Sequence, residues 1–425
     1  MLIRFITIAF ARGTPAIGVL IFSLLLAARV SLVDASRVFF ALNVLYLLAI
    51  FSRFGLDTYV LRHVGLYNCN SQPPVRSLVF QIVLLTLLLS SFVSFVAFSV
   101  ASYLGYAIDT VNLCFLLALP PFTVLGIGSF ALRAAGWERT GALLEVSSVS
   151  LMASLMLLPF VFMVDLEVSY FAVCFLASSI ILSVSSLIIC WSTMDKGGSL
   201  LAGGQLLKGV RESSHYWYTA MSCYLLQWYP VFIAPFYHPE WVAFFNVANR
   251  LSTLINFVGV TVDAIAAPRF AYLLKSGNKL EIERLLRSFF WIVLLFVFLF
   301  ITLFVLVGSW ALQSYFADFE AIYLPSILLM SLYGCSILLG PAGYLLSMGG
   351  HGHLVGGGTI GVTIVSFGLC PLFMWAFGFW GLVLSVGSLA LLRNILFVAL
   401  AKKLTGVSFP CDRLCHIFRS EVRSS

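Results

Sequence analysis

From Trp291 to Gly308, 18 consecutive residues carry no charged side chain, and the 26 residues from Ser77 to Ser102 carry none either. At about 1.5 Å of rise per residue, a helix over either run is long enough to cross most or all of the ~30 Å hydrocarbon core of a bilayer. Strands do not fit, because a membrane barrel would show segments of about ten residues alternating in polarity. Of the 425 residues, 61% are hydrophobic and only 10% charged. A soluble domain averages about 45–50% apolar and about 25% charged, so a soluble fold built from this chain would lack the polar side chains to cover its surface. The expectation is an all-α polytopic membrane protein.

Hydropathy, Gly/Pro breaks and clusters of charge place twelve spans. Six lie near residues 12–33, 37–62, 77–104, 111–134, 139–163 and 167–192, and six near 210–236, 240–267, 284–312, 321–347, 353–377 and 379–401. The connections alternate in charge. One set holds Arg62 and Arg76, then Arg133 and Arg139, then Lys196, Lys208 and Arg211, then Arg269, Lys275, Lys279, Arg284 and Arg287, and finally Lys402, Lys403, Arg413, Arg419 and Arg423. The other holds Asp109, Asp165, Glu167, Glu240, Asp318 and Glu320, with no Lys or Arg beyond Arg29 and Arg37 at the first turn. Lys and Arg are retained on the cytoplasmic side during insertion, so both termini are expected to face the cytoplasm from the cytoplasmic (inner) membrane. The net charge of +7 is then a topology signal and needs no nucleic-acid partner. Arg4 and Arg12 precede a long apolar stretch with no small-residue cleavage site after it, which reads as an uncleaved first helix. The cysteines lie singly in apolar segments apart from Cys69, Cys411 and Cys415, so a disulfide framework of the secreted type is not expected.

Between the sixth and seventh spans, Asp195–Gly204 is rich in Gly and reads as a linker. The expected organisation is a six-helix lobe over 1–192, a linker over 193–209, a second six-helix lobe over 210–401 and a basic tail over 402–425. A shift of 206 residues matches Asn43 with Asn249 and Asp57 with Asp263, placing the second span on the eighth. A shift of 214 lines up the turn Arg133–Arg139 with Ser347–His353; both are helix ends followed by Gly. Repeats that each cross six times share an orientation and suit alternating access around a central cavity.

Several stretches resemble the polysaccharide-repeat-unit flippases, the O-antigen-type (Wzx-like) branch of the multidrug/oligosaccharidyl-lipid/polysaccharide flippase (MOP) superfamily. Glu240–Leu251, read as EWVAFFNVANRL, looks like that family's aromatic-x-x-Ala-x-Arg-Leu signature. Pro268–Gly277 with the charged helix start Glu281–Arg287 resembles the loop after it, and Phe54–Arg62 resembles the end of the second helix. The resemblance implies two pseudo-symmetric six-helix bundles in a V, moving a lipid-diphosphate-linked oligosaccharide to the outer leaflet. Its implied partners are a polyprenyl-diphosphate-linked glycan, membrane lipids, H+ or Na+, and polysaccharide polymerase machinery, with no cofactor. One departure is Gln227-Trp-Tyr-Pro230 in the seventh span, where members often carry an acidic residue; this leaves the coupling ion open.

Flipping breaks no bond, so the residues of interest are polar groups at membrane depth, where each charge needs water or a partner. Arg250 lies ten residues beyond Glu240, roughly mid-bilayer. Its planar fork matches phosphate oxygens, which makes it a candidate clamp for a substrate diphosphate; the alternative is a structural Arg paired with a neighbouring helix. Arg53 and Asp57 are spaced to share a helix face, either lining a cytoplasmic vestibule or snorkelling to water. The resembling flippases use arginines on the first, second and eighth helices. Arg29 and Arg37 bracket Asp34, as a positive outer rim for an anionic headgroup or an ordinary solvated turn. Glu145, Asp263 and Asp57 are the candidate ion-coupling carboxylates, each with simple pairing to a basic neighbour as the alternative. The aromatic runs His215–Tyr218 and Gln227–Tyr229 suit sugar stacking or the membrane interface. His351 and His353, and Cys411–His416, offer metal-type side chains without a full ligand set.

No P-loop, nucleophile elbow or zinc-protease pattern is present, which leaves ATP-driven transport within the chain and hydrolysis unsupported; the chain reads as a carrier and not an enzyme. The competing readings are a drug or cation antiporter of the same superfamily and a membrane-embedded polymerase or glycosyltransferase. The scarcity of intramembrane carboxylates speaks against the antiporter, and the short external loops against the polymerase.

Overall fold

The computed structural model describes residues 2–70, 75–105, 109–161, 167–194 and 203–410, and no strand occurs among them. The Gly-rich stretch 195–202, Asp165 and the tail 411–425 with Cys411, Cys415 and His416 lie outside the described residues, as do the side chains of Arg4, Arg12, Cys69, Lys208 and Asp318. The chain divides into two units, Met1–Met221 and Ser222–Ser425, and the division falls inside a helix.

The first unit contains α1 (Leu2–Arg29), α2 (Leu32–Arg53), α3 (Leu56–Asn70), α4 (Val75–Tyr103), α5 (Thr110–Ala134), α6 (Glu138–Leu143), α7 (Ser148–Val161), α8 (Val168–Thr193) and the start of α9 (Gly203–Ile233). Its centre is α5, which packs against α8, α4, α3, α2 and α6. Lipid tails are as apolar as leucine, so helices associate through close packing of small residues rather than by excluding oil from water. Accordingly, a side chain at Gly128 of α5 would collide with Ser186 of α8, and Cys190 of α8 donates its Sγ–H to the Gly128 carbonyl at 3.6 Å. Two buried serines of α8 are satisfied within their own helix, Ser179 donating to Leu176 O at 2.7 Å and Ser183 to Ile180 O at 2.9 Å, while Ser178 reaches Met156 Sδ of α7 at 3.4 Å. Phe22, Phe115, Phe122, Phe171 and Phe175 form an edge-to-face and tilted aromatic layer beside them.

The expected second span is two helices. Phe54 ends α2 at φ 48°, ψ 32°, and Gly55 follows at φ 74°. The break is seated on α9: Phe54 stacks on Trp217 with centroids 5.0 Å apart, and Phe51 meets the same ring edge-on at 5.7 Å. Arg62 of α3 donates to the Tyr216 hydroxyl at 3.2 Å. Any side chain at Gly55 would overlap the Ser213 carbonyl and approach Trp217 N to 2.8 Å. Gly55→Ala is therefore expected to cost about 2 kcal/mol or more, the left-handed strain of about 1–2 kcal/mol plus the overlap. Gly136→Ala, at φ 90° with nothing nearby, carries the strain alone, so the Gly55 variant should melt at the lower temperature in detergent.

The second unit holds the remainder of α9, then α10 (Trp241–Thr253), α11 (Asn256–Lys275), α12 (Lys279–Tyr315), α13 (Tyr323–Leu338), α14 (Ala342–Leu346), α15 (Gly352–Phe377) and α16 (Phe379–Thr405). Its core gathers Phe270, Ile282, Leu286, Met330, Leu345 and Phe397 from α11, α12, α13, α14 and α16. The opposite extreme is α12, of whose apolar window only 11% is buried; Leu295, Phe298 and Leu306 are 66%, 69% and 72% exposed. Such a surface is stable against hydrocarbon and not against water. The expected eighth span is broken into α10 and α11, where Ile255 N bonds Ser252 O at 3.2 Å and Val258 N bonds Ile255 O at 3.2 Å, the tighter three-residue ladder.

By length and composition, seven helical stretches among the described residues suffice to cross a membrane, with shorter apolar helices over Gly13–Arg29 and Ser148–Phe160. The chain is a multi-pass membrane protein. Part of the difference from the twelve expected spans has a physical source: the expected fifth segment is split into α6 and α7 of 6 and 14 residues, the eighth is broken after the 13 residues of α10, and α13 to α15 run together as one apolar stretch of 58 residues.

Candidate functional site

In the first unit the charged side chains at depth are compensated. Arg53 closes the last turn of α2, Asp57 opens the first turn of α3, and their side chains pair at 3.3 Å while only 10% and 19% exposed. The helix break explains the pairing, since a cation suits a helix C-terminus and an anion an N-terminus. Arg53 Nε also donates to Ala49 O at 3.2 Å, and Asp57 Oδ1 accepts from Thr58 N at 2.7 Å. Gly126 of α5 makes the room: a side chain there would come within 2.7 Å of Arg53 Nη1. Glu145, between α6 and α7, accepts from Arg133 Nη2 at 2.8 Å. At the other end of α2, Arg29 is exposed and Arg37 pairs with Asp34 at 3.4 Å on the surface, next to the Ser31 cap.

The second unit is arranged differently. Arg250, in the last turn of α10, lies over the Trp228 ring of α9 with 4.8 Å to its centroid, and Trp228 meets Phe245 edge-on at 6.2 Å. Asn249, fully buried, accepts from the Tyr333 hydroxyl of α13 at 2.8 Å. Asp263 of α11 is half-buried and has no ion pair among the described residues.

Arg393 also lies at depth in the second unit, without having been singled out in the sequence. It lies 14 residues beyond Phe379 and 12 before Thr405 in α16, about 20 Å from either end, and interacts electrostatically with Tyr333 and Cys223. Its depth was the available signal, the same one that marked Arg250. The next residue, Asn394, donates to Ser336 O at 3.0 Å and Oγ at 2.7 Å, tying α16 to α13.

The aromatic runs of α9 serve packing. Trp217 and Tyr216 hold the α2–α3 break, and Tyr229 meets Phe367 of α15 at 4.7 Å between centroids. The rings of His351 and His353 are 6.3 Å apart, and no group of three metal-type side chains occurs among the described residues.

No family model matches the chain, and no curated protein matches it. Solved structures do. An inward-facing multidrug resistance MATE family transporter of the MOP superfamily matches with a TM-score of 0.70 at 15% identity, over 94% of this chain and 98% of that one. The lipid II flippase MurJ, in an inward closed conformation, matches with a TM-score of 0.69 at 13% identity, over 96% and 88%. The MATE multidrug transporter DinF-BH matches at 0.66 and 14%, over 94% of each. At these identities the likeness is one of fold: essentially the whole chain has the fold that MATE transporters and MurJ share.

Proposed function

We propose that the chain is a flippase that carries a lipid-diphosphate-linked oligosaccharide, a polysaccharide or O-antigen repeat unit, across the cytoplasmic membrane by alternating access. The observation that carries this reading is the sign of the charge left at depth. Asp57 and Glu145 are paired with arginines, whereas Arg393, mid-way along α16, forms no ion pair among the described residues, and Arg250 lies over the Trp228 ring in the same unit. A basic interior attracts an anionic headgroup and repels a cationic drug. Arg250 is the proposed diphosphate clamp, with Arg29 and Arg37 as the rim that meets the headgroup at the membrane surface and Arg53 holding α2 and α3 in register. The oligosaccharide passes through a hydrated route, with both termini in the cytoplasm and the polymerase machinery receiving the cargo outside. Fold likeness to the lipid II flippase MurJ supports the cargo class.

Asp263 favours a second reading. A half-buried carboxylate without an ion-pair partner among the described residues suits H+ or Na+ coupling, as a driving ion for the flippase or as the working site of a cation antiporter.

Reconstituted vesicles separate the two. With a fluorescent lipid-diphosphate oligosaccharide, the wild type should move label between leaflets and Arg250→Ala should slow this at least tenfold, the loss of one charge-assisted clamp. Unchanged flipping by Arg250→Ala would remove the clamp. Proton-driven uptake of a cationic dye, with no lipid movement, would replace the flippase by the antiporter.

A further inference from the structure

At the start of α4 a guanidinium lies flat on an indole. Arg76 Cζ is 3.3 Å from the centroid of the Trp191 ring of α8, a separation that fits only two planes in contact, since a guanidinium turned on edge would drive its nitrogens into the ring. One turn further on, Phe80 meets the same indole with centroids 6.1 Å apart and planes at 66°. Residues four apart share a helix face, so α4 aims a cation and a ring at one side chain of α8. The charge so held is not answered by the protein. Arg76 makes no ion pair and no hydrogen bond among the described residues, whereas Arg53 and Arg133 of the same unit are paired with carboxylates. Its Nε is shielded from solvent without an acceptor; the terminal nitrogens are not shielded, and they are the donors open to a ligand.

The surroundings select the anion. Trp191 is 58% exposed, and Phe80, Leu84 and Ile188 beside it are exposed although apolar, as side chains facing hydrocarbon are in a multi-pass chain. Arg76 belongs to the set of connections whose Lys and Arg mark the cytoplasmic side, and the cytoplasmic leaflet carries the anionic lipids. A free anion would meet the fork and leave the apolar side chains unused. A zwitterionic headgroup brings its own ammonium up to the guanidinium. A lipid with a net negative phosphate satisfies both parts of the surface, because the fork takes phosphate oxygens and the rings take an acyl chain.

We propose that Arg76 and Trp191, with Phe80, form a binding site for the phosphate of an anionic glycerophospholipid in the cytoplasmic leaflet. The Arg76 terminal nitrogens take the phosphate, and an acyl chain lies along Phe80, Leu84 and Ile188. Trp191 is the positioning residue: its face fixes the fork at the level of the headgroups. The site needs only that α4 and α8 cross a membrane, and it stands whether or not the chain is a flippase.

The test is native mass spectrometry of the full-length purified chain in detergent, with dioleoyl phosphatidylglycerol and dioleoyl phosphatidylcholine added in equal amounts. The wild type retains phosphatidylglycerol over phosphatidylcholine by about fivefold. Arg76→Gln cuts phosphatidylglycerol retention at least threefold. Arg76→Lys, which keeps the charge and loses the plane that lies on the indole, cuts it about twofold, and Trp191→Leu, which removes the stack, does the same. Arg284→Gln removes one charge from an exposed position on α12 and leaves retention unchanged. Thermal melting checks that each variant is folded; should Arg76→Gln not fold, unchanged retention in both Arg76→Lys and Trp191→Leu overturns the site. Equal retention of the two lipids by the wild type, or Arg76→Gln retaining as much phosphatidylglycerol as the wild type, overturns it directly. Arg284→Gln losing as much as Arg76→Gln would reduce it to a general attraction of basic charge. Loss of the bound lipid to equimolar inorganic phosphate would overturn it as well, because the acyl chain would then contribute nothing.

Discussion

Asp57→Asn is expected to destabilise the first unit by about 3 kcal/mol, the lower end of the range for removing one partner of a buried ion pair. Arg53 would keep its place, held by Ala49 O and pressed against Gly126, and its charge would be left in a setting only 10% exposed. The same substitution weakens the start of α3, where the carboxylate complements the helix dipole and accepts from Thr58 N. A double variant, Arg53→Leu with Asp57→Asn, removes the stranded charge along with its partner. It should melt above the single variant, because a well-packed apolar pair is close to neutral where a broken pair is costly. Melting in detergent gives the ranking, and a double variant that melts lower than Asp57→Asn would show that the pair is held by something other than its charges.

Gly381→Val is expected to abolish the hairpin of α15 and α16. Gly378 makes the turn at φ 60°, ψ −136°, a region open essentially to glycine alone, and the chain then reverses so tightly that a side chain on Gly381 would occupy the Phe373 carbonyl. The obstruction is backbone on both sides, so no rotamer change relieves it, and the cost should reach or exceed the upper end of about 1–3 kcal/mol seen for overpacked cores. Because α16 carries Arg393 and Asn394 toward α13, the second unit should lose its polar cluster as well. Gly361→Ala on α15 faces open space, and it should be neutral or add up to about 1 kcal/mol through helix propensity. Size-exclusion profiles of fluorescent fusions would read both, a monodisperse Gly381→Val peak at wild-type yield being the result that refutes the argument.

The helical class and most of the spans were legible because hydrocarbon imposes its demand locally: every run of about 20 residues must be apolar and must satisfy its own backbone. Breaks within spans were not. Nothing in the composition of Phe54-Gly55 or Leu254-Ile255 distinguishes a break from a continuous helix in lipid, and the first is stabilised by Ser213 and Trp217, more than 150 residues away. Among charged residues, Arg53 and Asp57 were readable as a pair from a spacing of four on one helix face, yet the pair forms across the break between α2 and α3. The Arg133–Glu145 bond spans a turn, and only the packing of α6 against α5 brings the two groups to 2.8 Å.

Depth in a helix is a sequence property, so Arg250 and Arg393 could both be marked as unusual from their position along apolar segments. What each meets there is not. Trp228 reaches Arg250 from α9, and Tyr333 reaches Asn249 from α13, across separations of 22 and 84 residues. The sequence by itself determined a membrane-spanning helical chain and the depth of its charges, because solvent acts on each segment alone. Only the tertiary structure decided which charges are paired and which rings and amides lie beside the others, because that depends on side chains converging from helices far apart in the chain.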